Sequence, residues 1–161
     1  MRRAISSFAA LGAVVLMAIP AQASGAGAVS FTQTFHNATQ VLLNSPNPCT
    51  GVLGTVTLTY DGVFHMTVLT SGVGAGTGWG TFTGAGDFTV AQVNGVNFTG
   101  HFMNWDGFNF NLENFTSTGT FILHGTGSDG STITFHEVIH ITALLTSPPT
   151  VIVRFDMPTC G

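Results

Sequence analysis

The chain has 161 residues, a formal net charge of −4, and charged side chains at only 6% of its positions. It has no lysine, and two of its three arginines, Arg2 and Arg3, stand at the very start. Beyond them a single arginine faces seven acids, so the chain cannot neutralise a row of phosphates. We therefore expect no nucleic acid and no anionic membrane surface as a partner.

The first 23 residues have the layout of a secretory signal peptide. Arg2 and Arg3 precede an apolar run over residues 9–19, and Ala21-Gln22-Ala23 is a cleavage site of the A-x-A type. The run is shorter than the about 20 residues of a transmembrane helix, and no other run is longer. We expect a secreted protein with no membrane segment after signal removal and a net charge of −6. A retained anchor is the alternative.

Two cysteines, Cys49 and Cys160, remain after the predicted signal peptide. An even number of cysteines in an oxidising compartment predicts a disulfide, which here closes most of the domain into one loop. Free thiols or a metal-binding pair are the alternatives, but two cysteines without nearby partners make a poor zinc site.

The rest of the chain alternates apolar and polar residues, as antiparallel strands do. A flexible leader is expected over residues 24–30. Strands are predicted over residues 31–37, 52–60, 63–69, 79–90, 96–105, 108–112, 115–123, 132–144 and 150–157, with a short apolar run at 41–43. Hairpin turns are predicted at Asp61-Gly62, Asn94-Gly95, Asp106-Gly107 and 128–131, with a glycine loop at 71–78 and a break at Pro148-Pro149.

One face of these predicted strands repeats phenylalanine and glycine, whereas the other carries threonine and asparagine. Glycine beside phenylalanine lets a strand bend and gives a large ring room in a narrow interior. We therefore predict one all-β domain over residues 31–161, an antiparallel up-and-down β-barrel of about 8–10 strands, with the Phe/Gly face inside. A two-sheet β-sandwich is the alternative.

The stretch His136-Glu137-Val138-Ile139-His140 matches the H-E-x-x-H motif of zinc metalloproteases. On a helix the two histidines share one face and one zinc ion, but on a strand they lie about 13 Å apart. The flanks favour a strand because β-branched residues dominate them. These residues are Thr132, Ile133, Thr134, Val138, Ile139, Ile141 and Thr142. We therefore do not expect a zinc metalloprotease.

As a strand, this stretch places His136 and His140 on the threonine face, and Glu137 with Phe135 on the inner face. These four residues are the candidate binding residues. A carboxylate on an apolar face is costly unless it is paired. Glu137 is therefore either structural, bonded to a Tyr, Trp, Ser or Asn side chain or a water, or functional, with a raised pKa in a pocket.

No other set of catalytic or cofactor-binding residues can be identified from spacing. No Ser-His-Asp or Cys-His arrangement is visible, and both cysteines are assigned to the disulfide. The remaining histidines are interpreted as scattered surface residues, with a cross-strand metal site as the alternative. We predict neither a metal nor a cofactor.

Several short stretches occur together in a way that resembles a group of small secreted bacterial β-rich proteins. The stretches are Thr34–Thr39, Asn47-Pro48-Cys49-Thr50-Gly51, Tyr60–His65, Thr99–Phe102, Gly125–Ser131 followed by Phe135-His136-Glu137, and the terminal Cys160. The resemblance covers nearly all of the chain after the signal peptide. It implies export, a β-rich domain and a disulfide, but no catalytic residues. Val52 stands where the group often carries an acid.

Three functional hypotheses follow from the sequence. The leading one is a secreted, non-enzymatic β-barrel that binds a small apolar ligand or a component of the cell surface. The second is an enzyme that uses Glu137 with a histidine or tyrosine at the barrel mouth. The third is a structural surface-interaction protein with an uncharged Thr/Asn exterior.

Overall fold

The computed structural model of the protein describes residues 27–93, 95–146 and 150–161, and within them every regular element is a β-strand. The strands pair antiparallel in chain order and form one seven-stranded sheet. They are β1 (Ala28–Pro46), β2 (Leu53–Leu69), β3 (Gly78–Gln92), β4 (Phe98–Phe110), β5 (Asn114–Gly127), β6 (Thr132–Leu144) and β7 (Thr150–Cys160). The predicted all-β, up-and-down architecture is confirmed. None of the described residues forms a helix that could span a membrane.

β2 and β4 each replace two of the predicted strands because two expected turns do not form. Asp61-Gly62 lies inside β2, paired with β3, and Asp106-Gly107 lies inside β4, paired with β3 and β5. β1 begins at Ala28, so it includes the last residues of the predicted leader. The predicted signal peptide and the Pro148-Pro149 break lie outside the described residues, as does Asn94 of the predicted Asn-Gly turn.

The sheet curls but does not form a continuous barrel. Among the described residues, β1 pairs only with β2 and β7 only with β6, so β1 and β7 are the two edge strands. At one end the curl brings the connection after β1 against the last strand, where Cys49 and Cys160 form the predicted disulfide with their Cα atoms 5.7 Å apart. Cys49 Sγ also lies 3.8 Å from the carbonyl oxygen of Thr134 on β6. We call this the closed end of the sheet.

The hydrophobic core lies on the inner face at the closed end. Its cavity measures only about 20 Å³, enough for about one water molecule. The core residues come from five strands: Val56, Leu58, Phe88, Val90, Phe98, Phe102, Phe121, Leu123, Ile133 and Phe135. The prediction that the phenylalanine-rich face is the inside is therefore confirmed.

Glycine on this face lets aromatic rings from alternate strands meet. Gly86 on β3 pairs with Tyr60 on β2 and with Phe102 on β4. Because Gly86 has no side chain, the rings of Tyr60 and Phe102 approach to 6.3 Å between centroids in an edge-to-face arrangement. The Phe/Gly pattern of the sequence thus has a packing cause.

Beyond the core, the inner face ends in half-buried, mutually stacked phenylalanines. Phe64 stacks on Phe108 at 6.0 Å, and Phe108 stacks on Phe115 at 6.4 Å. These rings shield one another, so this end of the sheet is also a packed aromatic layer.

Candidate functional site

The H-E-x-x-H stretch lies within β6, so the predicted strand is confirmed. Phe135 and Glu137 are buried on the inner face, whereas His136 is exposed on the outer face. His140 lies on that outer face too, with its Nδ1 2.7 Å from Thr118 Oγ1. The four candidate binding residues therefore occupy two faces of the sheet and do not form one site. The two histidines share the outer face but lie four residues apart on a strand, about 13 Å, and this distance rules out a shared zinc ion.

Glu137 faces an acid and an arginine contributed by β7. Its side chain is buried, with the residue 7% exposed, and it contacts the carboxyl group of Asp156. Arg154 Nη2 donates a hydrogen bond of 3.1 Å to Asp156 Oδ2. Asp156 Oδ1 is buried and has no hydrogen-bond partner among the described residues.

The surroundings of Glu137 raise its pKa, so that it titrates near neutral pH. Burial raises its pKa from 4.5 to about 7, and the hydrogen bond to Asp156 and the negative charge of Asp156 add to the effect, while Arg154 opposes it. The partner is thus an acid of the neighbouring strand, not one of the neutral side chains expected from sequence. A neutral Glu137 can tie β6 to β7 or can transfer a proton at neutral pH.

This titration predicts a stability that depends on pH. Because the folded pKa is raised, the contribution of Glu137 is fully present below pH 4.5 and is lost as the pH rises through about 7. We expect Glu137→Gln to remove this loss, so that the variant exceeds the wild type in free energy of unfolding at pH 8 but not at pH 4.5. Urea denaturation at several pH values measures this difference in free energy of unfolding. Glu113→Gln, in an exposed connection, is the control, and parallel curves for all three proteins would refute the assignment.

A second polar pair lies on the inner face, on β4. Asn104 Nδ2 donates a 2.6 Å hydrogen bond to Asp106 Oδ2. Burial raises the pKa of Asp106, and this hydrogen bond partly opposes the rise. Neither Asp106 nor Glu137 lines the core cavity, so the inner acids have no ligand-sized space beside them there.

The outer histidines form small local contacts rather than a metal centre. His101 contacts Asp87 and lies opposite His124 across β4 and β5. His36 Nδ1 lies 3.5 Å from Asp61 Oδ1. Within the described residues, no three His, Cys, Asp or Glu side chains are arranged to hold a metal ion.

The outer face carries a depression of about 570 Å³ that crosses β1 to β5. One row of paired residues along its floor runs through Thr34, Val63, Thr83, Trp105 and Thr120. We call this feature the outer depression. Its volume is in the range typical of ligand sites.

The outer depression exposes large apolar side chains at its centre. Trp105 is 46% exposed and Met103 is 56% exposed, and Val63 lies in the same row as Trp105 with Thr83 between them. His36 and Asp61 stand at one side of it. Exposed apolar side chains in a depression with polar residues at its edge are compatible with a binding site.

The indole of Trp105 extends along β4 so that its far edge lies near Gly107. A Cβ atom at Gly107 would lie 3.2 Å from Trp105 Cη2 and 3.4 Å from Cζ2. Both residues are on the outer face of β4, two positions apart. Because Gly107 has no side chain, the far edge of the indole can lie close to the backbone of β4 at that position.

Sequence reasoning missed this surface, although part of the signal was present. The predicted strand phase places Met103 and Trp105 on the threonine face, although the turn predicted at Asp106-Gly107 ends that strand before Gly107. An outward tryptophan followed two positions later by glycine is such a signal, but a single strand does not reveal the neighbouring strands that complete the depression.

Comparison with protein-family models, with curated proteins and with solved structures gives no match. The functional conclusion therefore depends on the geometry of the surface itself.

Proposed function

We propose that the protein is exported and acts outside the cell as a non-enzymatic binding protein, with the outer depression as its binding surface. The observation that carries this proposal is the apolar floor formed by Val63, Met103 and Trp105 within a depression of about 570 Å³. A disulfide between Cys49 and Cys160 supports an oxidising location.

The small apolar ligand expected inside a barrel receives no support from the packing. The core cavity of about 20 Å³ accommodates about one water molecule, not a ligand. The surface alternative, a component of the cell surface, is compatible with the large open depression. We therefore favour surface recognition over storage of a ligand in the interior.

A charge placed in the depression tests the proposal. We expect Met103→Asp to weaken binding of the labelled protein to cell-envelope fractions by about tenfold or more, because a carboxylate replaces apolar contact area. Met157→Asp is the matched control, since Met157 on β7 is 53% exposed and lies outside the depression. Equal binding by both variants, or no binding by the wild type, would contradict the proposal.

An enzyme that uses Glu137 is the second candidate. The observation in its favour is the pKa of about 7, which suits a general acid or base at neutral pH. Its burial and its absence from the lining of both cavities weigh against substrate access. Screening wild type and Glu137→Gln against ester, glycoside and peptide substrates tests this candidate, which fails if no turnover depends on Glu137.

A further inference from the structure

We propose that the outer depression recognises a neutral sugar, with the indole of Trp105 as the platform on which a pyranose ring stacks. This inference rests on the proposed function, because it uses the same surface, and it adds the class of ligand.

The first support is the exposure of the indole. The far edge of the Trp105 ring lies near Gly107, and the residue is 46% exposed, so part of the indole is accessible to a ligand. The C–H groups on one side of a pyranose ring carry partial positive charge, which complements the negative face of an indole. Trp79, the other tryptophan, is equally exposed but is paired with the buried Thr67 and lies outside the depression.

The second support is a frame of hydroxyl groups around the indole. Thr83 and Thr120 are paired with Trp105 from the two neighbouring strands. Adjacent strands lie about 5 Å apart, so these hydroxyls flank the ring at a distance that matches the width of a pyranose. They stand where the equatorial hydroxyls of a stacked sugar need hydrogen-bond partners.

A second pair of threonines completes the frame. Thr81 and Thr118 are paired with Gly107, the residue beneath the indole. Thr118 Oγ1 lies 2.7 Å from His140 Nδ1, which fixes its orientation. These four threonines thus lie on the two strands that flank β4, on the same face as Trp105.

The charges of the depression select a neutral ligand. Asp61 contributes a negative charge, and no lysine or arginine lines the depression. The acid excess of the chain repels carboxylated or sulfated sugars. A purely apolar ligand, in turn, would cover the threonine hydroxyls without satisfying them.

The Trp79→Phe variant provides the test, because Trp105 is then the only tryptophan. We expect its emission to change saturably on titration with at least one neutral hexasaccharide among cellohexaose, xylohexaose, mannohexaose and chitohexaose. Hexagalacturonate, which is anionic, should give no change. Binding by hexagalacturonate alone, or by none of the five, would overturn the proposal.

Calorimetry with the hexasaccharide that binds separates Trp105 from the other tryptophan. We expect Trp105→Ala to weaken binding by about tenfold or more, whereas Trp79→Ala stays within about twofold of the wild type. Equal affinities of Trp105→Ala and the wild type would reject the platform.

The positioning role of Gly107 has its own readout. Gly107→Ala, in the Trp79→Phe background, should lift the indole, shift its emission maximum and weaken sugar binding while the far-ultraviolet circular dichroism is unchanged. An unshifted emission maximum with unchanged affinity would count against a role of Gly107 in positioning the indole.

The outcomes also distinguish this inference from the proposed function. If Met103→Asp abolishes binding to envelope fractions but no neutral sugar binds, the sugar class fails and the surface proposal stands. If neither effect occurs, both fail.

Discussion

Replacing Cys49 and Cys160 together by alanine is expected to lower the free energy of unfolding by about 4 kcal/mol. The disulfide joins residues 111 positions apart and ties the connection after β1 to the end of β7. Without it the unfolded chain regains the entropy of a long loop, and the last strand keeps only its pairing with β6. Urea denaturation of the purified variant measures the loss, and the melting temperature should fall by about 10 °C or more.

The control is the wild type treated with a reductant, which should unfold at the same urea concentration as the double variant. A loss below about 1 kcal/mol would mean that hydrogen bonding and the core hold the closed end without the disulfide. That result would contradict the role given to Cys49 and Cys160.

A second large effect is expected for Gly86→Ala, which should cost about 3 kcal/mol. A Cβ atom at Gly86 would overlap the carbonyl oxygen of Thr59 and would lie 2.6 Å from the Cα atom of Tyr60. Both are backbone atoms of the adjacent strand, so β2 and β3 must separate to admit the methyl group. The edge-to-face contact between Tyr60 and Phe102 would be lost as well.

Gly84→Ala is the matched control, two residues away on the same face of β3. Its Cβ atom would meet the rim of the Phe82 ring at 3.0 Å, and a side chain can move where a backbone cannot. We expect a smaller loss of stability, about 1 kcal/mol. Urea denaturation of both variants under the same conditions measures the two losses of stability. Equal losses would show that the backbone contact at Gly86 has no special cost.

The inner and outer faces were predictable from sequence because alternation is a local property of each strand. The phase of Phe135, Glu137 and His136 in β6 follows from their order alone, and the disulfide follows from the number of cysteines. The length of the strands was not predictable in this way. Asp61-Gly62 and Asp106-Gly107 have turn propensity, but continuous pairing on the flanking strands overrides it.

The partners of Glu137 depend on register, which local sequence does not encode. Only the pairing of β6 with β7 places Asp156 and Arg154 beside it. The outer depression is harder still to predict from sequence, because strands β1 to β5 all contribute to it. The position of the Trp105 indole near Gly107 also depends on the folded strand. Sequence indicates which side chains face outward, but it does not show how neighbouring strands bring them together.

We propose that the outer face of the sheet binds the ligand, whereas the inner face holds the fold together. The most direct measurement is a map of backbone amide shifts by nuclear magnetic resonance during titration with the neutral hexasaccharide that alters the Trp105 emission. We expect the shifts to be centred on Val63, Thr83 and Trp105. Shifts centred instead on the inner residues Phe108 and Glu137 would contradict it.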